Sequence, residues 1–309
     1  ADHSGQAAET YAYDANGNQI GGPYVIGPNN RLLADATYDY EYDAEGNLVR
    51  KTERATGVVS RYTYDHRNRL VRFEQHSAGG ILLAEAEYVY DVFDRRIVKS
   101  VDPDGAGPQP RQETRFAYDG LNVWADFDAM NRVIARYLHG EGLDNLLARW
   151  RASDGTAWYL TDHLGTVRDI VDAAGAIINH LDYDSFGRLL SQTNALAGDR
   201  FGFTGREYDP ELDLYFYRAR YYDPQQGRFV SQDPLGFAAG DSNLYRYVAN
   251  APLTARDPMG TSWFYAILAR RASAVAGGLV GGVLGFACGW AEGITTATVA
   301  HNTTGEPID

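Results

Sequence analysis

Two carboxylates in the last third of the chain, Asp233 and Asp257, each stand immediately before a proline. Two carboxylates held close together share a proton and do acid–base work, because their repulsion leaves one protonated beside one ionised. Sequence spacing alone does not bring these two together. On its own residues each Asp-Pro reads as a turn, with the Asp accepting from nearby amides and the Pro presetting φ. Other chemistries have little to work with. The one cysteine, Cys288, allows no intrachain disulfide and no cysteine-based metal site. The seven histidines (His3, His66, His76, His139, His163, His180, His301) are scattered and none pair at ligand spacing. We therefore expect no metal and no cofactor. A formal charge of −13 over 309 residues argues against nucleic acid as a partner, since phosphate needs clustered Lys and Arg. Aromatic content of 13% and hydrophobic content of 44% provide enough apolar surface for a packed core.

The elements that must position any such residues are written as repeats. Tyr11-Ala-Tyr13-Asp14 leads to Gly17-Asn18, and Tyr40-Glu-Tyr42-Asp43 to Gly46-Asn47-Leu48-Val49. Tyr62-Thr-Tyr64-Asp65 leads to Asn68-Arg69-Leu70-Val71, and Tyr88-Val-Tyr90-Asp91 to Asp94-Arg95-Arg96-Ile97. Phe116-Ala-Tyr118-Asp119-Gly120 is a looser copy, and Tyr183-Asp184 with Gly187-Arg188-Leu189 a later one. Successive Asp positions lie 22 to 29 residues apart through Asp119, and the next interval is much longer. Tyr at i and i+2 shares one face of a strand. The Asp opens a turn, and Gly or Asn three residues on supplies a left-handed residue. Each unit is thus a β-hairpin with an aromatic face that needs neighbours to bury it. Gly21-Gly22-Pro23, Gly79-Gly80 and the stretch from Pro103 to Pro110 are expected to separate units. The residues support repeated antiparallel β; a compact sandwich of ordinary hairpins stays open beside a curled sheet.

From Phe203 to Gly260 the motifs crowd. Arg218-Ala219-Arg220-Tyr221-Tyr222-Asp223-Pro224 precedes Gly227-Arg228-Phe229 and Ser231-Gln232-Asp233-Pro234-Leu235-Gly236. Asn243-Leu244-Tyr245-Arg246-Tyr247-Val248, Asn250, Pro252 and Asp257-Pro258-Met259-Gly260 follow. In this order, and with the upstream Tyr-x-Tyr-Asp phrases, the stretch from Tyr11 to Gly260 resembles the YD repeats and associated core of the Rhs family of bacterial polymorphic toxins. The resemblance implies a mainly β protein: antiparallel YD-repeat hairpins in a curled sheet forming part of a hollow shell, closed by the Rhs core. It divides the chain into 1–190, a shell segment, 191–261, the core domain, and 262–309, a variable tail.

Family members that process themselves look like in-chain aspartyl proteases. The matching positions here are Arg220, Asp233 and Asp257, one carboxylate activating water and the other protonating, with the Arg steadying the pair. The cleavage region implied is Gly260, Thr261 and Ser262, tethered to the fold that would cut it. Thr261 departs from the large apolar residue common in the family at that place. Cutting is expected just after Gly260, weakened or shifted toward Thr261–Ser262.

Beyond Gly260 the composition changes. Ala272 to Ala291 carries no charged residue and, at about 1.5 Å per residue, spans a bilayer core of about 30 Å as a helix. Gly277, Gly281, Gly285, Gly289 and Gly293 recur every fourth residue, a spacing that suits close helix packing in a membrane. A short helical, membrane-seeking tail is therefore expected, with a membrane-inserting toxin, an anchor and a helical hairpin inside the shell all open. The resulting expectation is the shell and core portion of a secreted polymorphic toxin that encloses and presents its tail, in an extracellular or cell-surface setting. Its expected partners are a missing N-terminal shell region, secretion machinery and an immunity protein. The alternative is a non-catalytic surface or wall-associated protein that binds glycan through its tyrosine-rich sheet and is anchored by its tail.

Overall fold

Each Tyr-x-Tyr-Asp phrase ends one strand and opens a tight turn whose geometry the Asp sets. In the computed structural model, which describes residues 9–261, one Asp oxygen accepts from the amides two and four residues on. Asp14 takes Asn16 and Asn18 at 2.9 and 2.8 Å, and Asp91 takes Phe93 and Arg95 at 2.9 and 3.0 Å. The third residue after the Asp is left-handed, as at Gly46 (φ 86°) and Asn68 (φ 59°). Glycine meets no Cβ penalty there, and Asn a small one.

The residue four after the Asp has a second duty. Its side chain returns to the other Asp oxygen and also reaches the neighbouring turn. Asn47 Nδ2 donates to Asp43 Oδ2 (3.0 Å) and to Asn68 Oδ1 (2.9 Å). Arg69 does the same for Asp65 and Asp94, and Arg95 for Asp91 and the Gly120 carbonyl. These bonds tie successive turns to one another along one rim of the sheet.

The hairpins join into one sixteen-stranded antiparallel sheet in strict sequence order, from Val25–Ile26 at one edge to Leu189–Gln192 at the other. It does not close into a barrel; the described residues also form a two-stranded pair, Ala12–Tyr13 with Gln19–Ile20, a smaller inner sheet and short 3-10 turns. Where the repeat phrase lapses after Asp119, the sheet does not. Strands Val133–His139, Leu146–Arg151, Gly155–Thr161, Val167–Asp172 and Ile177–Tyr183 fill the interval. Three of the intervening turns keep the Asp and its left-handed partner three residues later, at Asp128/Asn131, Asp162/Gly165 and Asp172/Gly175, without the tyrosines. Gly79-Gly80 stands between the Asp65 and Asp91 hairpins as expected, in the turn that joins the paired strands Leu70–His76 and Leu82–Tyr90.

A second sheet of four short strands, Glu207–Asp209, Leu214–Tyr217, Arg220–Asp223 and Arg228–Phe229, lies between the two halves of the first. One face, with Leu214, Phe216 and Tyr221, packs with Tyr40, Tyr62, Phe73 and Tyr88. The other, with Tyr215, Tyr217 and Tyr222, packs with Tyr137, Tyr159, Ile170 and Tyr183. The large sheet is thus curled around the small one, so the first Tyr of three phrases, Tyr40, Tyr62 and Tyr88, reaches the core. The segment before the Ala12–Tyr13/Gln19–Ile20 pair also reaches the turn that leads into the last strand of the large sheet. Tyr11 meets Phe186 edge-on at 5.0 Å, and Glu9 accepts from the Ser185 amide at 3.0 Å. Each fully buried aromatic contributes about 1.5–3 kcal/mol relative to exposure. At the centre Tyr217, Tyr222, Phe229 and Tyr247 stack edge-on or tilted with centroids 4.5 to 5.8 Å apart.

Among the described residues no helix is long and apolar enough to cross a membrane. The expected tail helix, Ser262, and the glycines Gly277, Gly281, Gly285, Gly289 and Gly293 lie outside them.

Candidate active site

The hairpin Leu214–Tyr217/Arg220–Asp223 turns through Arg218, which is left-handed at φ 58°. This turn grips the segment from Asp257 to Thr261. Three consecutive carbonyls of that segment accept from three consecutive residues of the turn. Arg218 Nη1 donates to Pro258, the Ala219 amide to Met259 (3.2 Å), and Arg220 Nε to Gly260 (2.5 Å). Gly260 is required by the close approach. It is left-handed (φ 66°), and a Cβ there would sit 2.3 Å from the Tyr217 carbonyl oxygen. Gly260→Ala is expected to displace the segment and slow any cutting at this bond by about tenfold or more, read as the fraction of intact chain over time.

Asp233 and Asp257 converge on the same guanidinium nitrogen. Arg220 Nη2 lies 2.9 Å from Asp233 Oδ2 and 3.3 Å from Asp257 Oδ2. All three side chains are buried, at 4%, 8% and 2% exposure for Arg220, Asp233 and Asp257. Arg220 is fixed from its other sides by the Leu244 carbonyl (2.9 Å) and by Phe229, whose ring centre lies 3.6 Å below the guanidinium. The remaining Asp257 oxygen, Oδ1, accepts from the Thr261 amide at 3.1 Å. Around the Gly260–Thr261 bond, an Arg therefore touches the carbonyl oxygen and a carboxylate touches the amide nitrogen.

Burial pushes the Asp233 carboxyl up to about 6; Arg220 opposes this and Asp257 adds to it. A narrow opening of about 20 Å³ is bordered by Arg220, Asp233, Asp241, Asn243, Leu244 and Asp257. It has room for about one water. The turn reading of the two Asp-Pro pairs holds at the same time. Asp233 Oδ1 accepts from the Leu235 amide (2.9 Å), and the Asp257 carbonyl accepts from the Gly260 amide (3.2 Å). Capping and convergence use different oxygens of each Asp.

Arg220, Asp233, Asp257, Gly260 and Thr261 thus lie together. Sequence reasoning missed Arg218 and Asp144. Arg218 was visible in the Arg-Ala-Arg phrase, whereas Asp144, on the loop between Val133–His139 and Leu146–Arg151, follows no motif.

A family model described as the Teneurin YD-shell matches residues 1–253. The chain belongs to the Teneurin YD-shell family. Its relatives include Toxin protein Tse5 of Pseudomonas aeruginosa, 31% identical over 83% of this chain and 24% of that protein. Double-stranded DNA deaminase toxin A of Burkholderia cenocepacia is 29% identical over 84% of this chain and 20% of its own length. The probable deoxyribonuclease RhsB of Dickeya dadantii is 30% identical over 74% and 16% respectively. The expected kinship with Rhs/YD-repeat toxins is thereby established, and this YD-shell chain spans a quarter or less of each of these relatives. Among solved structures, that of the Photorhabdus luminescens Tc holotoxin pore overlaps 81% of this chain and 16% of its own, at 19% identity and a TM-score of 0.49.

Proposed function

We propose that this chain is the closing part of a toxin shell, residues 1–190 forming wall and 191–261 the core, and that the core cuts the Gly260–Thr261 bond to free the tail from Thr261 onward. The observation that carries this reading is the convergence of both carboxylates on Arg220 beside a peptide bond whose carbonyl Arg220 contacts and whose amide Asp257 contacts. The relatives support the shell role. A deaminase toxin and a probable deoxyribonuclease match over this same region, so the shared part is not what distinguishes their named activities.

On this reading Asp257, beside Arg220, takes a proton from water as the water oxygen attacks the Gly260 carbonyl carbon. Arg220 Nε polarises the Gly260 oxygen, and Asp233 passes that oxygen its proton and takes it back as the tetrahedral intermediate collapses. Collapse breaks the carbon–nitrogen bond while Asp257, already against the Thr261 nitrogen, delivers its proton there. The products are a Gly260 carboxyl and a Thr261 amine. Tethering makes the attack intramolecular, so no substrate-binding step is needed.

Asp233 must be protonated in this scheme, and its carboxyl titrates at about 6. The first-order rate of cutting is therefore expected to fall about tenfold per pH unit above that value. The experiment is to follow refolded wild-type chain by mass between pH 4.5 and 8. A rate that rises through pH 6 would overturn the assignment of the proton to Asp233.

A further inference from the structure

We infer that Arg218, held by Asp144 of the shell, is the positioning residue that fixes which peptide bond enters the site; this rests on the self-cleavage reading above. Arg218 touches neither the Gly260 carbonyl nor either catalytic carboxylate. It donates instead to the Pro258 carbonyl, at the start of the three-carbonyl cradle. Pro258 stands two residues before Gly260, so whatever anchors its carbonyl sets which later carbonyl reaches Arg220 Nε, and with it the register.

The anchor is not free to move. Arg218 Nη2 and Nη1 donate to the two Asp144 oxygens at 2.7 and 3.1 Å, and Nη2 also donates to the Leu121 carbonyl at 3.1 Å. Asp144 is buried and also receives Arg206 Nη1 at 2.7 Å. Burial pushes its carboxyl up, but Arg206 and Arg218 outweigh that and hold it below the ordinary carboxylate range. Arg206 in turn binds the Phe216 carbonyl through Nε and Nη2, at 3.1 and 2.7 Å, on the strand that leads into the Arg218 turn. On the other flank, Arg256 Nη1 donates to the Leu164 carbonyl at 3.2 Å. Three separate shell segments, at Leu121, Asp144 and Leu164, therefore hold the turn and the segment it grips. Asp144 lies 74 residues before Arg218 in sequence, so this register exists only once that part of the sheet has folded around the core.

The test uses the full 309-residue chain, comparing wild type with Arg218→Ala, Arg218→Lys and Asp144→Asn. Cutting is followed as a first-order rate, with the N-terminus of the released tail read by mass spectrometry. Wild type is expected to give a single tail beginning at Thr261. Arg218→Ala and Asp144→Asn are expected to cut about 10- to 100-fold more slowly and to give tails beginning at several neighbouring residues. Millimolar guanidinium is expected to restore rate and single-site cutting to Arg218→Ala. Arg218→Lys guards against simple misfolding: it keeps the charge, but one ammonium does not bridge Asp144 and Pro258 as the planar fork does, so mixed termini are expected again. Wild-type rate and a single terminus in folded Arg218→Ala or Arg218→Lys would overturn the inference, as would an Arg218→Ala defect that guanidinium leaves unchanged. Those results leave the cleavage reading standing, whereas a wild-type chain that is never cut removes both.

Discussion

Arg96→Ala is expected to lower the unfolding free energy by about 3–5 kcal/mol, the largest stability loss of any single change considered, measured by urea denaturation of the uncut chain. Arg96 is fully buried between the sheets. Its Nη1 meets Asp209 and the Tyr221 hydroxyl (3.0 Å), its Nη2 meets Glu207 (3.3 Å), and its guanidinium lies 4.2 Å from the Phe216 ring centre. Removing it strands Asp209 and Glu207 in the interior, with only Lys99 and Arg200 left to offset them at 2.7 and 2.8 Å. The surface pair Arg50–Glu41 makes the contrast. At 3.0 Å and largely exposed, it is expected to cost less than about 1 kcal/mol when broken by Arg50→Ala. Equal losses for the two substitutions would show that Arg96 does not hold the inner sheet in place.

Asp257→Asn is expected to slow cutting at least about 1000-fold while leaving the fold intact, and Asp233→Asn to do the same. Asn is nearly isosteric with Asp and still accepts from the Thr261 amide, as Asp257 Oδ1 does at 3.1 Å, so the turn survives. What is lost is a group able to take water's proton and pass it to nitrogen. At position 233 the amide still caps the Leu235 amide, at 2.9 Å in the parent, but holds no transferable proton. Asp172→Asn is the matched control. It alters an equivalent Asp turn of the wall, where Asp172 Oδ1 accepts from the Ala174 and Ala176 amides, both at 2.9 Å, and is expected to cut at the wild-type rate. Melting curves and tail release on the same samples separate the two effects. Unimpaired cutting in either site variant would remove that carboxylate from the chemistry.

Much of the wall was legible because its turns are local. Asp43, Gly46 and Asn47 carry their hydrogen-bonding instructions within five residues, so pattern and structure agree wherever the phrase is spelled out. Between Asp119 and Tyr183 the turns at Asp128, Asp162 and Asp172 kept the Asp and lost the tyrosines, and a reading keyed on Tyr passed over them. The turn-to-turn bonds of Asn47, Arg69 and Arg95 were missed for another reason: an Asn or Arg four after the Asp serves its own turn first, and its second partner is about twenty-five residues away. At the site, Arg220, Asp233 and Asp257 were found by resemblance, since nothing local distinguishes a converging Asp-Pro from an ordinary turn. The three-carbonyl cradle and Asp144 were not found at all, because they depend on the large sheet wrapping the small one. That wrapping is a tertiary fact, written in no short window of sequence.

The central claim is most directly tested by the intact mass of the full chain, freshly folded and held at pH 5. The account expects the 34.1 kDa species to disappear in favour of a shell piece ending at Gly260 and a tail beginning at Thr261. A folded chain that keeps its full mass over days would contradict it.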